Sequence, residues 1–126
     1  MSLQTPLGRV RGLGSAREGV AHWWAQRVSA VLLLPLSIWF LSWVLPVLGQ
    51  PYSDARVFVA QPLNAFLLLT FMLALIYHAL LGVQVVIEDY LHTRWLEVSL
   101  QVAIKLIAFL AALATAFALI RIVLGA

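Results

Sequence analysis

Cysteine is absent from the chain, so it has no disulfide, no thiolate nucleophile and no thiolate ligands for an iron–sulfur cluster. Any redox centre it helps to hold must use other ligands. Charge is scarce as well. Asp, Glu, Lys and Arg make up 10% of the 126 residues while 63% are hydrophobic, against about a quarter charged and half apolar in soluble domains. With a mean hydropathy of +1.00, water is not the main solvent of this chain. The net charge of +3 is spread around apolar blocks and forms no patch, which argues against nucleic acid as a partner. The segment GLGSAREG from Gly12 to Gly19 is not GxGxxG and follows no strand, so no dinucleotide fold is indicated. CxxC, HExxH and a nucleophile elbow are all missing, so the sequence offers little with which to run a complete reaction alone.

What remains is dominated by three long apolar runs. Residues 1–27 are polar and basic, with Arg9, Arg11, Arg17 and Arg27 and several glycines, and read as an extramembrane leading segment. No charge interrupts the run from Val28 to Leu48. About 21 residues at 1.5 Å each reach roughly 31 Å, enough for a hydrocarbon core of about 30 Å. Pro35 inside this span predicts a kink or support from neighbouring helices. Residues 49–62, GQPYSDARVFVAQP, read as a loop with one interfacial turn; a second span follows over 63–87, a second loop over about 88–97, and a third span over 98–124. The fold class is therefore all-α integral membrane with three transmembrane helices, residues 28–126 forming the membrane domain.

Three crossings put the termini on opposite sides. Arg9, Arg11, Arg17, Arg27, Arg94 and Lys105 fall on one side, Arg56 and Arg121 on the other. The excess of basic residues places the N-terminus in the cytoplasm and the C-terminus across the membrane. Trp23, Trp24, Tyr90 and Trp95 collect at the same interface as an aromatic belt. The first apolar run starts too late and is too long for a cleavable signal peptide, and the acid-free stretch 1–17 is short for a mitochondrial transit peptide, so a bacterial inner membrane is the expected location.

His78 is the sharpest chemical signal. It lies eleven residues before Asp89, about 16 Å along the helix and so close to mid-membrane depth. An ionisable side chain there faces a bundle interior, a cavity or a cofactor. Neutral imidazole is a common axial ligand of haem b, and the alternative is a hydrogen bond to a neighbouring helix. Phe71, Leu75, His78, Gly82, Val85 and Asp89 fall on one helical stripe. Gly82, one turn from the histidine, leaves room either for a flat macrocycle or for close helix packing. A bis-histidine site needs a second imidazole at the same depth, whereas His22 and His92 lie outside the spans, roughly 15 Å too shallow. The second ligand must come from another polypeptide. Arg27, flanked by Gln26 and Ser29 at the start of the first span, suits either a pairing with a haem propionate or ordinary snorkelling. Asp89 and Tyr90 read as a helix exit and belt residue, or as a polar interfacial site where a phenol donates to a carbonyl and a carboxylate relays protons.

Two patches, GVAHWWAQRVSA from Gly19 to Ala30 and HALLGVQVVIEDY from His78 to Tyr90, together with the three-helix plan, resemble the hydrophobic membrane anchors of succinate dehydrogenase, the D-type anchors of succinate:quinone oxidoreductase (respiratory complex II). The resemblance implies that His78, in the pattern H-A-x-x-G with Gly82, is an axial ligand of haem b, and that Asp89 and Tyr90 lie at the ubiquinone site. Arg27 matches an arginine near the haem propionates. A histidine shortly before that arginine recurs at variable spacing, and His22 is the candidate for it. The implied partners are a C-type cytochrome b anchor subunit supplying the second histidine, an iron–sulfur subunit and a flavoprotein subunit, with electrons passing from succinate to quinone. Competing expectations are a haem-poor fumarate reductase-type anchor and a structural or transport three-helix membrane protein.

Overall fold

A computed structural model of the chain describes Leu7 and residues 18–125. Arg9, Arg11, Arg17 and most of the leading segment expected over 1–27 lie outside the described residues. Within residues 18–125 four helices follow one another: α1 Glu18–Val47, α2 Tyr52–Ala60, α3 Pro62–Tyr90 and α4 Arg94–Val123. Three of them are long and apolar enough to cross a membrane, over Gly19–Val47, Pro62–Tyr90 and Arg94–Val123.

The long helices exceed the expected spans at most ends, and for a common reason. A charge marks where hydrocarbon gives way to headgroups, but the i→i−4 ladder is indifferent to it and continues until a backbone signal stops it. Thus α1 begins at Glu18 and not near Val28, and it runs without a break through Pro35 and Pro46. The second loop, expected over about 88–97, shrinks to Leu91–Thr93, because Glu88, Asp89 and Tyr90 close α3 and Arg94 already opens α4. The turn after α1 passes through Gly49 at φ +89°, a left-handed conformation that glycine adopts without the Cβ clash. Pro62 takes the first turn of α3, where its missing N–H costs nothing.

The single turn expected between the first two spans is a nine-residue helix. Helix α2 is held from both sides: Phe58 stacks on Trp43 of α1 with ring centroids 4.8 Å apart, and Asn64 Nδ2 of α3 donates to the Phe58 carbonyl at 2.9 Å. Helices α1 and α3 run antiparallel, since Gln26 and Ser29 meet His78 at one end of the seam while Phe40 stacks on Phe71 at 4.9 Å further along it. Helix α4 packs on α3, and Gln101 Nε2 donates to Glu88 Oε1 at 3.2 Å across that contact.

Burial within the chain is sparse. Leu36, Val59, Ala65, Phe71, Leu81, Ile87 and Leu119 form the apolar interior of the described residues, and Ser29 is the buried polar residue among them. Large apolar side chains such as Val31, Ile38, Phe66, Phe109 and Phe117 point outward, as they must where the surroundings are acyl chains or partner helices.

Candidate functional site

The seam between α1 and α3 carries a polar cluster in an otherwise apolar bilayer-spanning region. His78 projects from α3 toward α1, where Ser29 and Gln26, three residues apart on one face, receive it. Gln26 Nε2 lies 3.2 Å from His78 Nε2, and Ser29 Oγ lies 2.9 Å from His78 Nδ1. The Ser29 hydroxyl also donates to the Gln26 carbonyl at 3.0 Å. With the amide nitrogen facing the ring, as it is placed here, Gln26 donates, His78 Nε2 accepts and the ring proton is assigned to Nδ1. Ser29 Oγ then accepts that proton's hydrogen bond while its own hydrogen goes to the Gln26 carbonyl. Every role in the cluster is consistent with the others.

A cleft of about 610 Å³ opens beside this cluster, lined by Gly19, His22, Trp23, Gln26, Gly82, Val85 and Glu88. Its size falls in the range of small-molecule and cofactor sites. Two buried polar atoms next to it, His22 Nε2 and Gln26 Oε1, have no hydrogen-bond partner within the chain. Orphaned polar atoms buried in a membrane protein call for a partner from outside the chain. Gly82 keeps the wall low: a Cβ placed there would meet Gln26 Nε2 at 3.8 Å, ordinary contact, so the glycine leaves space without being strictly demanded by the helix seam.

The helix extension of α1 changes the depths of two expected residues. Ser29 shares the level of His78, and Arg27 is two residues from it, about 3 Å of axial rise. Arg27 therefore does not sit at the edge of the helix but well inside it, with its guanidinium 5.4 Å from the centre of the Trp23 ring, a cation–π distance. His22, seven residues before Ser29 and so about 10 Å of axial rise from the level of His78, lines the cleft; it stands nearer than the roughly 15 Å expected, yet still too shallow to face the same atom. His92 lies in the exposed connection between α3 and α4, apart from the cleft.

Asp89 and Tyr90 end α3 and are exposed, Tyr90 by 77%. Glu88, one residue before Asp89, lines the cleft. The wall of the cleft follows Gly82, Val85 and Glu88, a row of i+3 steps that drifts back around the helix by about 60° at each step. A straight stripe from His78 leads instead to Asp89. The row that meets a neighbouring helix need not be the straight one, since ridges inclined to the axis do the packing. Gln26 and Ser29 were visible only as neutral polar residues beside Arg27, and no local signal ties them to a histidine 49 to 52 residues away. Among the described residues no group of three or more His, Asp or Glu side chains is arranged to hold a metal ion.

Comparison with known proteins agrees with the fold. The succinate dehydrogenase/fumarate reductase transmembrane subunit family matches residues 1–120. The chain is 36% identical over 105 residues to a succinate dehydrogenase hydrophobic membrane anchor subunit of Rickettsia bellii, covering 81% of this chain and 82% of that protein. It is 34% identical over 86 residues to the subunit of the same name from Paracoccus denitrificans, covering 68% and 67%, and 38% identical over 81 residues to a succinate dehydrogenase membrane anchor subunit of Reclinomonas americana, covering 60% and 66%. No solved structure matches the chain. Three membrane-length helices, a polar seam around His78 and these relatives together make the chain a member of the succinate dehydrogenase/fumarate reductase transmembrane subunit family, of the succinate dehydrogenase membrane anchor type.

Proposed function

We propose that this anchor co-ligates haem b through His78 and supplies Asp89 and Tyr90 to a ubiquinone-reduction site, in a complex that carries electrons from succinate to quinone. The observation that carries the reading is the position of His78: it stands beside a cleft of about 610 Å³ with its Nε2 lone pair directed at a movable amide and its Nδ1–H held by a hydroxyl. Metal-bound histidines characteristically donate their second ring N–H to a fixed acceptor, which sets the tautomer and orients the ring. The residues present fit the group. His78 would hold the iron, Gly82 would leave the macrocycle room, and Arg27 and His22 would face its carboxylates and the cleft. When bound, the haem supplies a one-electron reservoir next to the quinone site.

The protein's own part is positional and protonic. The Tyr90 phenol donates to a quinone carbonyl, fixing its orientation and stabilising the charge that develops on that oxygen. The Asp89 carboxylate beside it passes protons inward from the aqueous side. Both side chains point away from the rest of the chain, as groups do when the other walls of their site come from partners: a C-type cytochrome b anchor with the second imidazole, and the iron–sulfur and flavoprotein subunits docked on the side of Tyr90. That side is the cytoplasm of a bacterial inner membrane by the distribution of basic residues.

In the purified complex, His78→Ala is expected to abolish or strongly weaken the haem absorbance while succinate oxidation with an artificial acceptor persists. An unchanged spectrum removes the ligand assignment and leaves a histidine that only bonds Gln26 and Ser29. Tyr90→Phe is expected to slow quinone reduction severalfold with artificial-acceptor activity near normal; a parallel fall of both would mean that Tyr90 acts through assembly.

A further inference from the structure

We infer that Ser29 is the residue that prepares His78 for iron, by holding the imidazole in the one tautomer whose Nε2 lone pair is free to be given away. The inference rests on the haem reading above and deepens it, giving the hydroxyl beside the ring a role that can be tested apart from the ligand itself.

Ser29 is the buried polar side chain among the described residues, 6% exposed. Its hydroxyl is engaged on two sides, 2.9 Å from His78 Nδ1 and donating to the Gln26 carbonyl at 3.0 Å, which leaves its lone pairs to accept from Nδ1–H in the tautomer assigned above. That carbonyl belongs to the helix ladder, so the acceptor cannot rotate away as a surface group would. With the proton pinned on Nδ1, the lone pair is on Nε2, on the side where Gln26 Nε2 now stands at 3.2 Å. The amide and an iron atom cannot share one lone pair, so the Gln26 side chain must withdraw when the metal is bound. Its exchange is easy because Gln26 loses a single hydrogen bond and its Oε1 already lacks a partner. Ser29 makes no contact with the exchange and stays in place before and after it.

A second consequence concerns the bound state. An acceptor on Nδ1–H raises the basicity of the imidazole and favours the more highly charged iron. Removing the hydroxyl therefore raises the midpoint potential and alters the low-spin electron paramagnetic resonance signal, which reports ring orientation and donor strength. A residue that merely fills space would move neither.

The test uses the assembled complex and two pairs of chains, wild type against Ser29→Ala and Ser29→Thr against the equally shaped Ser29→Val. In each pair the member without the hydroxyl is expected to show a raised potential and a shifted resonance signal, or to lose haem that its counterpart keeps. If the hydroxyl-free members match their counterparts in haem content, potential and signal, or shift to lower potential, the role of Ser29 is overturned. His78→Ala separates this from the parent reading: haem retained without His78 removes the haem assignment itself, whereas haem lost without His78 and unaffected by the Ser29 hydroxyl removes the Ser29 assignment alone.

Discussion

At the scale of single residues, the wall opposite Gln26 offers a graded test of the cleft. A Cβ on Gly82 would lie 3.8 Å from Gln26 Nε2, which is ordinary contact, and alanine also favours the helix by about 1 kcal/mol. Gly82→Ala is expected to assemble normally and keep its haem spectrum close to that of the parent. Gly82→Leu places a branched side chain in the space beside His78 and should lower haem content severalfold, read by the pyridine haemochrome assay; full haem content with leucine would show that the cleft does not receive the macrocycle. His78 was legible in the sequence because an ionisable group is expensive at that depth, and its cost is visible without any neighbour. Its neighbours were not legible, because Gln26 and Ser29 carry no cost of their own and owe their importance to a helix register set far away in the chain. Glu88 was hidden for a related reason: one residue separates it from Asp89, and the choice between them depends on the inclination of a helix contact that sequence spacing does not contain.

Among the elements, the three long helices were evident from hydrophobic length, and their ends were not. Charges at Arg27, Glu88 and Asp89 bounded the apolar runs, yet α1 and α3 continue through them. Glu18 precedes Ser29 by eleven residues and Asp89 follows His78 by eleven, so the start of α1 and the end of α3 lie nearly flush, and the first three turns of α1 run beside the last three of α3. That added length is what turns Gly19, His22 and Trp23 into a wall of the cleft. Helix α2 was read as a single turn because its proline and charge signals suggest a loop; its stability as a helix comes from contacts at its end. Asn64 donates to the Phe58 carbonyl at 2.9 Å, the shorter of the two hydrogen bonds on this C-terminal helix acceptor, which the Gln61 N–H also reaches at 3.4 Å. Asn64→Ala is expected to lower stability by about 1 kcal/mol, seen as an earlier thermal transition of the complex in detergent, with the haem spectrum unchanged because the site is at the far end of α1. A spectral change of the size expected for Ser29→Ala would contradict that separation.

As a whole molecule, the chain is a fragment of a larger packing problem. Only 17% of the first two membrane windows and 6% of the third are buried within the chain, and no large side chain among the described residues is fully enclosed. Helix association in lipid depends on close packing and interhelical hydrogen bonds, with little hydrophobic drive. The internal polar contacts cluster at the His78 seam and at the ends of the bundle, so those points hold the helices in register while long apolar faces remain for acyl chains and partner helices. With one imidazole to offer at the depth of the seam, the chain expressed without the other subunits is expected to give no bis-histidine low-spin haem spectrum, and co-expression with the second anchor should restore it. A low-spin spectrum from the chain alone would show that it can supply, or recruit from a second copy, both ligands.

The ring of Trp23 has an optical consequence. It borders the cleft, meets Trp24 edge-on at 5.1 Å and carries the Arg27 guanidinium over its face. A strongly absorbing occupant of the cleft would drain the excited state of this pair by energy transfer, and more completely than that of Trp39 or Trp43, which lie further along α1. The protein thus has its own fluorescent gauge at the mouth of the site, and the filling of the cleft can be timed from its dimming without attaching any label.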